Sequence, residues 1–235
     1  MVYKFFPLLA LFMISFLPNE TKVTEPKLVA YTTTTTLEMK VESVYHSLNA
    51  NNFALPKFDC FSNALTGYYQ LKESGLIQKE LLTVIDFSLS SNVKRLWVID
   101  LSTNTVLFQS LVAHGRNTGE EFANNFSNLP ESYKSSLGFY ATGEIYNGKH
   151  GKSLKLDGLE KGVNDNARER QVVIHGADYV SQSFINGNKR LGRSQGCPAI
   201  PVELNEKIIN VIKDKSCLFI YHPSRNLHLS SKLVS

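Results

Sequence analysis

The stretch LLTVIDFSLSSNVKRLWVIDLSTNTVLFQSLVA, residues 81–113, decides the fold class. Three β-rich runs, Leu81 to Phe87, Lys94 to Asp100 and Thr105 to Ala113, are separated by Ser- and Asn-rich turns. LSTN at 101–104 joins the last two as a hairpin. The pattern continues outward with Leu137 to Thr142, Gln171 to His175 and Ser216 to Tyr221. One later helix, from about Leu204 to Lys213, gathers Leu204, Ile208, Val211 and Ile212 on one face. The expectation is a mainly β domain.

Upstream of residue 80 the spacing becomes helical. Val41, Val44, Tyr45 and Leu48 form one set, and Phe61, Ala64, Leu65, Tyr68 and Leu71 form another, with Asn49 to Pro56 as the break. These predict an N-terminal helical addition. Ahead of it, Tyr31 and the run Thr32 to Thr36 read as a tether, and Lys4 followed by the apolar run Phe5 to Leu17 reads as a secretory signal or an uncleaved anchor. The predicted layout is therefore 1–18 signal or anchor, 19–37 Thr-rich tether, 38–79 helical segment, 80–225 catalytic domain and 226–235 tail. An exported, periplasmic or envelope-associated protein follows, with a membrane tether through the N-terminus as the variant.

The net charge of +4 is modest and scattered, and supports neither nucleic-acid binding nor a polybasic membrane patch. Three cysteines cannot all pair; a Cys60–Cys217 disulfide stands open against two core thiols, and it would leave Cys197 free. A zinc site wants closely spaced Cys/His pairs, and His222 with His228 or His114 with His150 lack both spacing and partner cysteines. GKHGKS at 148–153 lacks the phosphate-loop spacing and reads as a solvated turn.

Chemistry concentrates in GRSQGCPAIP, residues 192–201. A cysteine nucleophile needs thiolate, hence a neighbouring base or cation. His175 ends the run RQVVIH and is followed by Gly176, which suits an imidazole carried from strand to loop opposite Cys197. Gly192 and Gly196 allow close approach of substrate, and the N–H groups of Gly196 and Cys197 are candidates for an oxyanion site. The alternative for both residues is structural: a hydrogen-bonded strand-end histidine and an inert loop cysteine.

His-Gly at a strand end followed by Ser-x-Gly-Cys, together with VAHGRNTGE, SSLGFYATGEIYNGKHGKSLKLDGLEKGVNDNARERQVVIHGADYV and GRSQGCPAIP, is similar to the murein L,D-transpeptidase catalytic domain family, of the YkuD type. The likeness covers roughly residues 81–222. It implies a β-sandwich or barrel catalytic domain acting on peptidoglycan stem peptides by cysteine acyl transfer through a thioester, without metal or organic cofactor. Carried across, Cys197 is the nucleophile, His175 the base, and Gly176, Ser194 and Gly196 orient the imidazole or shape the oxyanion site. Arg193 is expected to pair with a stem carboxylate or lower the thiol pKa, and Tyr140 and Tyr179 are candidates to line the pocket. Two departures stand out: Gln195 occupies a position where the family commonly has histidine, and Ala199 one where Arg or Asn is usual. An L,D-carboxypeptidase or endopeptidase using the same pair, and a non-catalytic peptidoglycan-binding protein, are the alternatives. Oligomeric state is not legible.

Overall fold

The computed structural model describes Met1 and residues 27–224, with side chains from Thr36 through the rest of that span. The expected signal and the C-terminal tail lie outside the described residues, apart from Met1. Among the described residues, one compact unit runs from Leu37, inside the first helix, and Lys27–Thr36 fall outside it.

Helix α1 spans Lys27–His46 and α2 spans Phe58–Glu73. The backbone at Thr32–Thr36 continues helix α1. Extending an existing helix by a residue costs far less than starting one, so β-branched threonines can prolong a helix nucleated elsewhere. Val41 in α1 and Cys60, Phe61, Ala64, Leu65, Tyr68 and Leu71 in α2 are buried, on the helical faces read from the sequence. Asp59 in the first turn of α2 and Lys72 in its last turn complement the helix dipole. Gly67 lets α2 settle directly on the sheet, because a Cβ there would lie 2.0 Å from the Phe139 ring.

Eight strands follow: β1 (Leu81–Asp86), β2 (Leu96–Asp100), β3 (Thr105–Ser110), β4 (Gly138–Gly148), β5 (Gly151–Gly158), β6 (Val173–Gly176), β7 (Ala199–Ile200) and β8 (Cys217–Tyr221). They form one sheet in the order β3-β2-β1-β8-β4-β5-β6-β7. The β1–β8 and β6–β7 pairs are parallel and the others antiparallel. Beyond β3 the chain reaches the opposite edge: Ala113 N–H donates to the Ala199 carbonyl (2.8 Å), and Gly115 bridges to Ser194. The sheet is thereby nearly closed into a barrel.

Strand alternation sorts the core into two layers. Leu82, Val84, Trp97, Ile99, Phe139, Cys217 and Phe219 pack against α1 and α2. Ile85, Leu96, Val98, Tyr140, Leu154, Leu156, Ile174, Leu218 and Ile220 pack in the layer of α4 (Val202–Ile212), which contributes Ile208, Ile209 and Ile212. Cys60 and Cys217 are free thiols in the first layer, so the disulfide left open by the sequence is not formed. A short helix, α3 (Gln182–Asn188), lies between β6 and β7, capped by Ser181 Oγ accepting from Phe184 N–H (3.3 Å).

Candidate functional site

Because Ile174 faces the α4 layer, its neighbours Val173 and His175 face the other side of β6. There they line a cavity of about 900 Å³ shared with Cys197. The parallel register pairs His175 with Ala199, and the same register sets Cys197 beside Val173. Val173 N–H donates to Cys197 Sγ (3.5 Å), while the thiol points to the Gln171 carbonyl (3.6 Å).

The loop carrying Cys197 is held on every side. Ser194 N–H donates to the His114 carbonyl (3.0 Å), and Arg116 N–H donates to the Ser194 carbonyl (2.8 Å). Ser194 Oγ donates to the Cys197 carbonyl (2.6 Å) and accepts from Gly196 N–H (3.0 Å). Ser135 Oγ donates to the Gly196 carbonyl (3.0 Å). Gly196 has φ +125°, and a Cβ there would sit 2.9 Å from the Lys134 carbonyl, so only glycine fits this turn without strain.

Behind the loop, the fully buried Arg95 donates to the Val112 and Leu89 carbonyls and through Nη2 to His114 Nδ1 (2.8 Å). His114 Nε2 then donates to the Gly119 carbonyl (3.2 Å). Burial, followed by the charge of Arg95, pushes His114 down to about 4. The imidazole is therefore neutral at physiological pH, as an acceptor for Arg95 must be.

His175 is also buried, at 3% exposure. Its Nδ1 donates to the Gly176 carbonyl (3.0 Å). A carbonyl only accepts, so Nδ1 carries the proton and Nε2 keeps the lone pair. Burial lowers its proton affinity, and the nearby His150 and Lys149 lower it further against the opposing pull of the Gly176 carbonyl. Burial pushes the Cys197 thiol up, offset in part by the Val173 N–H and then by the Arg170 charge. The resting pair is thus a protonated thiol and a neutral imidazole, with a nitrogen ready to take a proton.

A family model for the L,D-transpeptidase catalytic domain matches residues 54–221. The chain belongs to this family. Among solved structures it is similar to an L,D-transpeptidase from Mycobacterium smegmatis, at 10% identity and TM-score 0.38 over 61% of this chain and 59% of that one. It is also similar to the helical cell shape determining protein Pgp2 from Campylobacter jejuni, at 14% identity and TM-score 0.41 over 66% and 56% of the two chains. An L,D-transpeptidase from Xylanimonas cellulosilytica covers 84% of this chain and 94% of its own, at 10% identity and TM-score 0.36. The chain spans about three-fifths of the length of the first two. No curated protein matches it.

Within this L,D-transpeptidase domain the residues singled out from the sequence divide. Cys197, His175, Ser194, Arg193 and Tyr179 share the cavity, and Gln195 is exposed at it. Gly176 supplies the carbonyl that fixes His175. Gly196 N–H is committed to Ser194 Oγ, which removes it from the expected oxyanion site; the two residues shape the loop instead. Tyr140 does not line the pocket, because its position on β4 turns it into the α4 layer, fully buried, with its hydroxyl donating to the Ser136 carbonyl (2.9 Å). Arg193 Nη1 is tied to Glu120 (2.6 Å) and to the Arg116 and Gly119 carbonyls, both at 3.1 Å. The cations that act on the thiol are Arg170 and Lys149.

Arg170 and His150 escaped the sequence reading. Arg170 sits half-buried, donating to the Lys134 carbonyl (2.7 Å) and the Ser127 carbonyl (3.0 Å), and its place at the head of RQVVIH was its one visible signal. His150 lies in GKHGKS, whose turn joins β4 to β5, and its ring stacks on His175 with centroids 4.4 Å apart and planes at 24°. Only Lys149 and His150 form the turn; Gly148 ends β4 and Gly151 to Ser153 open β5, with Ser153 buried, so the segment expected as a solvated turn is mostly strand.

Proposed function

We propose that the chain is a peptidoglycan L,D-transpeptidase that works through a thioester on Cys197. The observation that carries this reading is the thiol and imidazole in one cavity, with His175 Nδ1 spent on Gly176 and Nε2 left to accept a proton. His175 takes the thiol proton as sulfur attacks the carbonyl of the L-centre of a stem-peptide diamino acid. The tetrahedral intermediate collapses with loss of terminal D-alanine, whose amine receives the proton from His175. A second stem's amine then attacks the thioester, His175 takes its excess proton, and the restored thiol closes the cycle with a 3–3 cross-link.

The developing oxyanion needs a preorganised donor, and the Cys197 N–H, on the residue that carries the attacking sulfur, is the backbone group we assign to it. The cations of Arg170 and Lys149 stabilise the transient thiolate that burial otherwise disfavours. An envelope location, reached through the N-terminal apolar run, belongs to the same reading.

Purified protein incubated with disaccharide tetrapeptide and resolved by mass tests it. A cross-linked dimer with loss of D-alanine is the expected product. Tripeptide alone would reassign the protein as an L,D-carboxypeptidase using the same pair, and unchanged tetrapeptide would leave a binding protein.

A further inference from the structure

We propose that His150, carried on the β4–β5 turn, is a positioning residue that fixes the imidazole plane of His175 and shields its face from water. The inference rests on the acyl-transfer reading, in which His175 is the base. His175 is held along one edge by its Nδ1 bond to Gly176, which leaves the ring free to rock about that bond. A second imidazole lying 4.4 Å away at 24° removes that freedom. The placement is built into the sheet: β5 pairs Ser153 with His175, so the turn three residues upstream of Ser153 projects over the base. The turn itself is tight, with Gly151 at φ +73°. His150 is exposed while His175 is buried, so the outer ring stands between solvent and the inner one.

The stack has an electrostatic consequence. His150 and Lys149 lower the proton affinity of His175, which favours the neutral imidazole whose Nε2 acts as base. The charged or titratable groups acting on His175 are His150 and Lys149 from the turn; the Cys197 thiol lines the same cavity, and α4 sets the uncharged Asn205 and Val202 against Gly176.

The test uses the full chain and the variants His150→Ala and His150→Phe, with two readouts. Nitrogen-15 NMR follows the titration of His175 without substrate, and steady-state kinetics on disaccharide tetrapeptide separate kcat from KM. For His150→Ala we expect the His175 midpoint to rise by about 0.5 pH units or more. Its kcat should fall about tenfold with KM within about twofold. His150→Phe keeps a flat ring without charge, so kcat should recover most of the loss while the midpoint stays raised. An unchanged midpoint in both variants overturns the inference. So does a loss confined to KM, which would make His150 a substrate contact, or a His150→Phe no better than His150→Ala. If the unaltered protein fails to turn over tetrapeptide, the proposed function falls and the NMR comparison alone decides the role of His150.

Discussion

Lowering the pH from 7 to 4 should loosen the loop that carries Cys197 through His114. In the folded protein this imidazole accepts from Arg95 Nη2 and donates to the Gly119 carbonyl, and its own carbonyl anchors Ser194. A proton on Nδ1 would set two donors against each other beside a buried guanidinium. Its folded value is depressed to about 4 from an ordinary 6.5, so the unfolded chain binds the proton first as pH falls. Stability is accordingly retained above pH 6.5, lost progressively between 6.5 and 4, and flat with respect to this group below that. At about 1.4 kcal/mol per pH unit, the gap is worth roughly 3 kcal/mol. Urea unfolding at pH 7, 5.5 and 4, compared between the natural protein and His114→Gln, isolates the contribution because the remaining titrating groups are common to both. Glutamine can accept from Arg95 and donate to Gly119 without titrating. The natural protein should lose roughly 3 kcal/mol more than the variant over that range. Parallel losses in the two proteins, within about 1 kcal/mol, would refute the assignment of a neutral, acid-sensitive His114 behind the loop.

Cys197→Ala should abolish tetrapeptide turnover while moving the melting temperature little, since the side chain is only half-buried in a loop held by backbone and Ser194 bonds; a large fall would instead make the thiol structural. Alkylation of Cys197 by iodoacetamide should titrate above the ordinary cysteine range, and Lys149→Ala should move that midpoint higher still by removing a cation that lowers it. A midpoint below the ordinary range would mean a resting thiolate–imidazolium pair. Gly196→Ala should cost about 1–3 kcal/mol and collapse turnover, because its φ of +125° and the Lys134 carbonyl at 2.9 Å force the loop to shift; wild-type turnover would show that the loop geometry is not critical.

Much of the fold was written in local pattern. The signal in Leu81–Asp86, Leu96–Asp100 and Cys217–Tyr221 is strong because these strands are central and both faces are covered, so each reads as a short, nearly continuous apolar run. β5 was missed because only Leu154 and Leu156 carry its buried face, interleaved with Lys152, Ser153, Lys155 and Asp157. That strand takes its shape from pairing along β4, a long-range fact that no short window contains. α3 buries Ile185 alone and is too short to show a period. The two-residue β7 is defined wholly by its neighbours His175 and Gly176.

The site was legible to the degree that its chemistry sits in the side chain of a recognisable residue type. Cys197 and His175 could be named because each stands beside a glycine, His175 at the end of an apolar run and Cys197 in a Gly-flanked polar loop. What surrounds the thiol depends instead on the parallel register of β6 against β7. Once that register sets Cys197 beside Val173, residues 170–175 supply several of the groups around the thiol. Arg170 supplies positive charge, the Gln171 carbonyl accepts the S–H, the Val173 N–H donates to sulfur and His175 lines the same cavity. Three of these four positions, 171, 173 and 175, follow the period of a strand, even though Gln171 itself turns out of the strand at φ +57°. A two-residue pairing therefore converts RQVVIH from a buried strand with a terminal histidine into an acceptor and a donor set against one sulfur atom, with an imidazole lining the same cavity.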